Sequence, residues 1–129
     1  MESHPNRLTI LLVENHEDTL KYLAKYLEMQ GHKVCVARDM ASAGAAISAS
    51  RFDVLISDIG LPDGDGWQLI RQLDPKPFGI AMSGYGTSAD RERSLAAGYR
   101  HHLIKPFLPE DLDELLAEAA RQLARKRPN

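Results

Sequence analysis

Several short apolar runs of the sequence are each followed directly by polar residues whose types point to one chemistry. These polar residues are Glu14, Asn15, Asp58, Ser83 and Lys105. Carboxylate and amide oxygens suit a hard divalent cation, whereas a hydroxyl and an ammonium suit the oxygens of a phosphoryl group. Phosphoryl transfer needs little more, because it requires mainly in-line positioning and neutralisation of charge. A fold that brings these five side chains together can hold a divalent cation and a phosphoryl group in one place.

The apolar runs themselves have the length and composition of buried β-strands. Amphipathic stretches separate them, which is how a parallel sheet covered by helices on both faces appears in sequence. We therefore predict an α/β fold with a doubly wound five-stranded parallel sheet, right-handed crossovers and strand order 2-1-3-4-5. In such sheets the ligand crevice lies beyond the carboxyl ends of the strands, where the polar residues are expected. The predicted strands are Leu8–Val13, Lys33–Ala37, Val54–Ser57, Phe78–Met82 and His101–Ile104.

Five helices are predicted from apolar residues at helical spacing and from residues that start or stop helices. Asp39 is a plausible N-cap, Gly31 is typical of a position just past a helix end, and Pro109 is allowed in a first helical turn. In chain order the helices are expected from about Leu20 to Gly31, from Asp39 through Ile47, between Gly66 and Asp74, from Thr87 or Ser88 toward Gly98, and from Pro109 to the basic tail Arg125–Arg127.

Length and net charge limit the classes of protein to consider. The 129 residues, 43% of them hydrophobic, suit one core, so we expect a single domain over residues 1–129. Its core should span residues from about 7 to 124, between a short N-terminal tail and a basic C-terminal tail. A formal charge of −2 gives no electrostatic reason to expect direct binding of nucleic acid or of an anionic membrane. The expected partner is therefore a protein.

Cysteine content and the N-terminal residues indicate a compartment. Cys35 is the single cysteine, so it has no partner for an internal disulfide, and the sequence MESHPNRLTI lacks the layout of a signal peptide. The longest apolar runs are far shorter than the roughly 20 residues that a membrane span needs. We expect a cytoplasmic protein. Because Cys35 lies in the apolar run VCVA, we also expect it to be a buried structural thiol.

Four segments resemble, in order and content, the receiver domain of response regulators in two-component signalling. They are LLVEN at residues 11–15, DVLISDIGLPDGDGW at 53–67, AMSGYG at 81–86 and HHLIKPF at 101–107. The resemblance covers nearly the whole chain and implies the flavodoxin-like (βα)5 fold. It implies that Asp58 is the phosphoacceptor, taking a phosphoryl group from a histidine kinase or a histidine phosphotransfer protein. The protein would then catalyse its own phosphorylation and dephosphorylation while acting primarily as a signalling switch.

The same resemblance implies a metal site. Glu14 and Asn15 occupy the positions of the acidic pair that binds Mg²⁺ or Mn²⁺, Asp58 supplies a further carboxylate, and Gly60 supplies its backbone carbonyl. The family most often has two aspartates at the pair, so Asn15 is a departure. At about 4 Å and an effective dielectric near 20, one unit charge is worth roughly 4 kcal/mol before desolvation offsets much of it. We expect weaker metal binding, and a pseudo-receiver that binds partners without phosphorylation is the alternative function.

Further roles follow from the resemblance for the last part of the chain. Ser83 and Lys105 would engage the phosphoryl group, and the Lys105-Pro106 bond is expected to be cis. His102 falls where the family usually has an aromatic switch residue, and it would report phosphorylation together with Ser83. The face formed by helix four, strand five and helix five would contact a downstream protein. HHLIKP is also typical of receivers in hybrid kinases, so both a stand-alone protein and a hybrid-kinase domain stay open.

Competing motifs are weaker. His101 and His102 are adjacent in a strand and should point to opposite faces, which argues against a two-histidine metal site. Residues 84–89 match a dinucleotide-binding pattern, but no acidic residue ends the next strand to bind ribose. Asp63 to Gly66 resemble the start of a calcium loop, yet Trp67 stands where a third ligand belongs.

Overall fold

The computed structural model describes residues 7–84 and 86–126. Five parallel strands form the main sheet in the order β2-β1-β3-β4-β5, as the sequence predicts. Strands β1 and β3 are paired neighbours inside the sheet, so the residues that follow them emerge side by side. The strands are β1 (Thr9–Val13), β2 (Lys33–Ala37), β3 (Val54–Asp58), β4 (Phe78–Ser83) and β5 (His101–Ile104).

Helices follow the strands and cover both faces of the sheet. Their starts are capped by side chains at two predicted positions: Asp39 forms a capping box with Ser42, and Thr87 accepts from the backbone N–H of Asp90. Gly31 and Gly98 lie just past helix ends with positive φ of 98° and 127°. The helices are α1 (Glu17–Met29), α2 (Met40–Ala49), α3 (Gly66–Arg71), α4 (Ser88–Ala97) and α5 (Asp111–Lys126).

Helix α5 begins two residues later than the predicted start at Pro109. The backbone N–H of Asp111 bonds to the carbonyl of Leu108 and that of Leu112 to the carbonyl of Pro109, which makes a tighter turn before the helix. The Asp111 carboxylate accepts from the backbone N–H of Leu108 and closes this turn. The proline therefore sits in the preceding turn, and Arg127 of the predicted basic end lies outside the described residues.

Alternate residues of β1 belong to two apolar cores. Ile10 and Leu12 pack in the core that also includes the buried leucines of α1 and α5, and Leu11 and Val13 pack in the core shared with α2, α3 and α4. This alternation is the consequence of a strand with a period of two residues between two helix layers. None of the helices in the described residues is both long and apolar enough to cross a membrane.

The prediction that Cys35 is a buried thiol is wrong: its side chain is exposed. Strand β2 lies at an edge of the sheet, and Cys35 is the register partner of Leu11 on the face covered by α2. Helix α2 has the sequence MASAGAAISA, and its many Ala, Ser and Gly residues cover little of the neighbouring strand. The apolar run VCVA therefore marks an edge strand whose side chains are only partly covered by α2.

Candidate functional site

Three of the five predicted polar residues meet beyond the carboxyl ends of the strands. Lys105 Nζ donates to Asp58 Oδ2 at 3.0 Å and also to Glu14 Oε1. Glu14 is fully buried and Asp58 is 8% exposed, whereas the Lys105 side chain is 26% exposed. Two buried carboxylates thus share one ammonium group that is partly exposed.

The backbone fixes Glu14 at the end of β1. Its backbone N–H donates to the carbonyl of Ala37 at 3.0 Å, which extends the ladder between β1 and β2 by one bond. Its second carboxylate oxygen accepts from the backbone N–H of His16 at 2.9 Å, at the start of α1. Asn15, between these two residues, is exposed. The carboxylate of Glu14 therefore faces inward and Asn15 occupies the rim.

Burial raises the pKa of Asp58 to about 6, and the nearby negative charge of Glu14 adds to the increase while Lys105 opposes it. The pKa of Lys105 is raised by its hydrogen bonds to both carboxylates, against the opposing effect of its own burial, which is the largest single influence. Two carboxyl groups in this site face one ammonium group. A further cation is therefore the group that would balance the site electrostatically.

The donor atoms fit a divalent cation of the Mg²⁺ type. Glu14 and Asp58 already direct oxygens at one cationic group, so their oxygens face a common space. Within the described residues no set of three or more His, Cys, Asp or Glu side chains is arranged to hold a metal ion. Further ligands would be the Gly60 carbonyl, the Asn15 amide and water. Mg²⁺ usually keeps several waters and takes only one or two carboxylates, so this composition suits it.

The loop between β3 and α3 is held in place from several sides. Ile59 donates its backbone N–H to the carbonyl of Met82, and Gly66 donates to the carbonyl of Ile59. Tyr99 Oη donates to the carbonyl of Gly66 at 2.7 Å. A Cβ at Gly66 would lie 2.6 Å from the Asp58 carbonyl oxygen, so this close approach requires glycine. The loop that carries Asp58 and Gly60 is thus fixed to the sheet.

Asp63, at the tip of the same loop, contacts α2. Its carboxylate accepts from the backbone N–H of Met40 at 2.7 Å and from that of Ala41 at 3.1 Å. Residues 60–61 and 64–65 pair as a short antiparallel ribbon around it. Asp63, the first residue of the stretch that resembled a calcium loop, therefore serves as a second cap for the first turn of α2, a role that spacing alone does not indicate.

Ser83 and His102 lie beside this site and contact each other. Ser83 Oγ lies 2.8 Å from His102 Nε2, and both residues are buried. A cavity of about 280 Å³ is lined by Asp58, Ser83 and His102 together with Trp67. The structure brings both predicted switch residues to the same cavity as Asp58, and His102 already points inward. The Lys105-Pro106 bond is cis.

Ser94 and Trp67 belong to the same cluster, although the sequence did not single them out as site residues. Ser94 Oγ lies 2.7 Å from His102 Nδ1 and accepts from Trp67 Nε1 at 2.9 Å. His101 points to the other face, where its ring lies 3.0 Å from Glu118. The two histidines are therefore separated by the sheet, as predicted. A polar residue on the buried face of α4 was the available signal for Ser94.

Comparison with known proteins agrees with this fold. The family model described as the response regulator receiver domain matches residues 10–117. The chain belongs to the response regulator receiver domain family. A CheY-like receiver domain protein from Methanospirillum hungatei JF-1 has a TM-score of 0.86 at 28% identity, covering 94% of this chain and 99% of that one.

Curated relatives include both small and large proteins. An uncharacterised 14.6 kDa protein of Leptolyngbya boryana is 31% identical over 117 residues, which cover 87% of this chain and 89% of the relative. The sensor protein EvgS of Escherichia coli K12 is 29% identical over 88% of this chain, and the transcriptional regulatory protein CusR of the same strain is 31% identical over 92%. The matched part is 10% of EvgS and 52% of CusR. The chain thus resembles one part of these longer proteins.

Proposed function

We propose that this chain is a phosphoacceptor signalling domain, which takes a phosphoryl group onto Asp58 from the phosphohistidine of a kinase or phosphotransfer protein. The main support is the shared contact of Lys105 with Asp58 and Glu14 at the carboxyl ends of the strands. Membership of the receiver family and the similarity to a sensor protein and a transcriptional regulator support the same signalling class. The expected compartment is the cytoplasm.

The proposed reaction is an in-line transfer to a carboxylate oxygen of Asp58. As the bond from this oxygen to phosphorus forms, the phosphorus–nitrogen bond of the donor breaks and its electron pair stays on the donor imidazole. Mg²⁺, held by Glu14, Asp58, the Gly60 carbonyl and the Asn15 amide, would neutralise charge between the carboxylates and the incoming group. Lys105 would pair with one phosphoryl oxygen.

Ser83 is the proposed hydroxyl donor to a second phosphoryl oxygen. It lines the same cavity as Asp58. A phosphoryl group adds roughly −1.5 to −2 charges and three acceptor oxygens, so it would draw Ser83 and Lys105 toward Asp58. Because Ser83 ends β4 and Lys105 follows β5, the movement of these two residues would displace the loops after both strands.

The face formed by α4, β5 and α5 is the proposed surface for a downstream protein. Three apolar side chains on and beside it are exposed: Leu95 at 49%, Ile104 at 39% and Leu108 at 62%. Ile104 ends β5 and directly precedes Lys105, so a displacement of the lysine would also move this exposed side chain. We expect no direct contact of this face with nucleic acid.

Phosphate-affinity electrophoresis after incubation with acetyl phosphate tests the proposal. A shifted band is expected with Mg²⁺, and it should be absent with a chelator and in Asp58→Ala. Asp74→Asn, which changes an exposed carboxylate, is the matched control and should shift like the wild type. A band that survives Asp58→Ala would refute Asp58 as the acceptor. A complete lack of any band at high Mg²⁺ would favour the pseudo-receiver.

A further inference from the structure

Four side chains from four different elements form one continuous hydrogen-bonded chain. Trp67 of α3 donates from Nε1 to Ser94 of α4 at 2.9 Å, Ser94 Oγ lies 2.7 Å from His102 Nδ1 in β5, and His102 Nε2 lies 2.8 Å from Ser83 Oγ at the end of β4. Ser94 is fully buried, and His102 and Ser83 are 8% and 9% exposed. The last member lines the cavity beside Asp58.

Trp67 fixes the direction of the protons along this chain. An indole nitrogen is a donor only, so Ser94 Oγ must accept from it. The hydroxyl proton of buried Ser94 then needs an acceptor, and among the residues that the structure describes the acceptor in contact with Ser94 Oγ is Nδ1 of His102. A neutral imidazole that accepts at Nδ1 carries its proton on Nε2, so His102 donates to Ser83 Oγ. The proton of Ser83 consequently points away from His102.

We propose that Trp67 and Ser94 are positioning residues that hold His102 as the neutral Nε2–H tautomer, so that His102 donates to Ser83 Oγ. The part of this inference that concerns a phosphoryl group rests on the proposed function. The tautomer and the direction of the chain apply to the unmodified protein and do not depend on it.

The same chain links the phosphoryl site to the contact between α3 and α4. The guanidinium of Arg93 in α4 stacks on the Trp67 ring at 3.9 Å from its centroid, so the indole is held by α4 through both its ring and its N–H. A movement of Ser83 toward a phosphoryl oxygen lengthens or breaks its bond with His102. If His102 then shifts, its bond with Ser94 changes, and with it the bond that Ser94 accepts from the indole N–H of Trp67.

The first experiment measures the His102 tautomer in the unmodified protein by nitrogen-15 NMR of the imidazole ring. We expect a protonated-type signal for Nε2 and an unprotonated-type signal for Nδ1. Ser94→Ala should abolish this pattern and leave His102 exchanging between tautomers, Ser94→Cys should retain it in part, and Ser88→Ala, an exposed position of the same helix, should leave it unchanged. A proton on Nδ1 in the wild type, or an unchanged pattern in Ser94→Ala, would overturn the proposal.

The second experiment follows the indole N–H of Trp67 during addition of beryllofluoride with Mg²⁺. We expect this resonance to shift in the wild type and to stay fixed in Ser94→Ala, although that variant still gives a phosphate-affinity band through Asp58. A band without any indole shift in the wild type would refute the link to Trp67 and leave the proposed function intact. If neither band nor shift occurs, the proposed function fails and the tautomer measurement alone decides the positioning role. Backbone amide spectra verify that each variant is folded.

Discussion

Lys105 Nζ lies 3.0 Å from Asp58 Oδ2, although the two residues are 47 positions apart in the sequence. The same ammonium contacts Glu14, which is fully buried. Lys105 therefore offsets the repulsion between two carboxylates in the unmodified protein, at the place where a metal ion and a phosphoryl group are proposed to bind. Stability and function are coupled at this lysine, because a bound cation would take over part of its electrostatic role.

Lys105→Met should destabilise the protein and reduce phosphorylation of Asp58. Removing one partner from a buried ion pair typically costs about 3–5 kcal/mol, and we expect about 1–3 kcal/mol because Lys105 is partly exposed. Mg²⁺ should recover part of this loss by binding the unpaired carboxylates. Urea unfolding with and without Mg²⁺ measures both effects. The control is Lys21→Met, whose exposed pair with Glu17 should contribute much less to stability. Equal stability of Lys105→Met and wild type without Mg²⁺ would contradict the argument.

Asn15→Asp should tighten Mg²⁺ binding. The added charge supplies the second acid of the pair, but Asn15 is exposed, so water offsets most of the Coulomb energy. We expect a dissociation constant lower by about tenfold, equivalent to about 1.4 kcal/mol. Fluorescence of Trp67, the single tryptophan, during a Mg²⁺ titration measures it, because this side chain lines the cavity with Asp58. Asn15→Ala should weaken binding slightly. An unchanged constant in Asn15→Asp would place this side chain outside the metal site.

The arrangement of strands was accessible from sequence because its signals are local. Apolar runs and capping residues such as Asp39 and Thr87 mark the elements, and a parallel sheet then brings all carboxyl strand ends to one edge. This rule placed Glu14, Asp58 and Lys105 together before any contact was known. The same rule predicts Ser83 beside them, and the resemblance to receiver domains adds the cis bond between Lys105 and Pro106.

Contacts that depend on side-chain direction and on the size of a facing helix were not accessible. The exposure of Cys35 follows from its edge strand and from the small residues of α2, neither of which alters the apolar pattern of VCVA. Likewise, the bond between Trp67 and Ser94 joins two helices whose relative placement no spacing rule gives. Asp63 resembled the start of a calcium loop, and its contact with α2 arises only when the loop is placed on the sheet.

His32 should make stability depend on pH. Its Nδ1 accepts from the backbone N–H of Leu8 at 3.1 Å, and burial lowers its pKa below the ordinary value of 6.5. The unfolded chain therefore binds the proton more readily than the folded one. The contribution of neutral His32 is complete above the unfolded pKa and is lost as pH falls from about 6.5 toward the lowered folded pKa.

The measurement is urea unfolding of wild type and His32→Asn from about pH 5 to about pH 8. Asparagine offers an amide oxygen to the same backbone N–H and does not titrate, so the difference between the two proteins isolates His32. We expect the difference in unfolding free energy between the two proteins to be constant above about pH 7. At lower pH the wild type should lose stability relative to His32→Asn. A difference that is flat over the whole range would show that His32 has the same pKa in both states.

Asp63→Ala should lower the stability of the protein through α2 and should also weaken Mg²⁺ binding through the β3–α3 loop. Loss of a helix cap typically costs about 0.5–2 kcal/mol, and Asp63 accepts from the backbone N–H groups of Met40 and Ala41. Asp39→Ala is the matched control, because it removes the other cap of the same helix without touching the loop. Both variants should lower the free energy of unfolding by similar amounts in urea.

Mg²⁺ affinity should distinguish the two variants. Asp63 anchors the loop that carries Gly60, so its removal lets the proposed carbonyl ligand move, and we expect binding to weaken several-fold, equivalent to about 1 kcal/mol. Asp39→Ala should bind Mg²⁺ like the wild type, since Glu14, Asp58 and their contacts with Lys105 are unchanged. The titration of Trp67 fluorescence applies to both variants. If Asp39→Ala weakens Mg²⁺ binding as much as Asp63→Ala does, helix stability alone would explain the effect, and Asp63 would have no separate part in holding the metal loop.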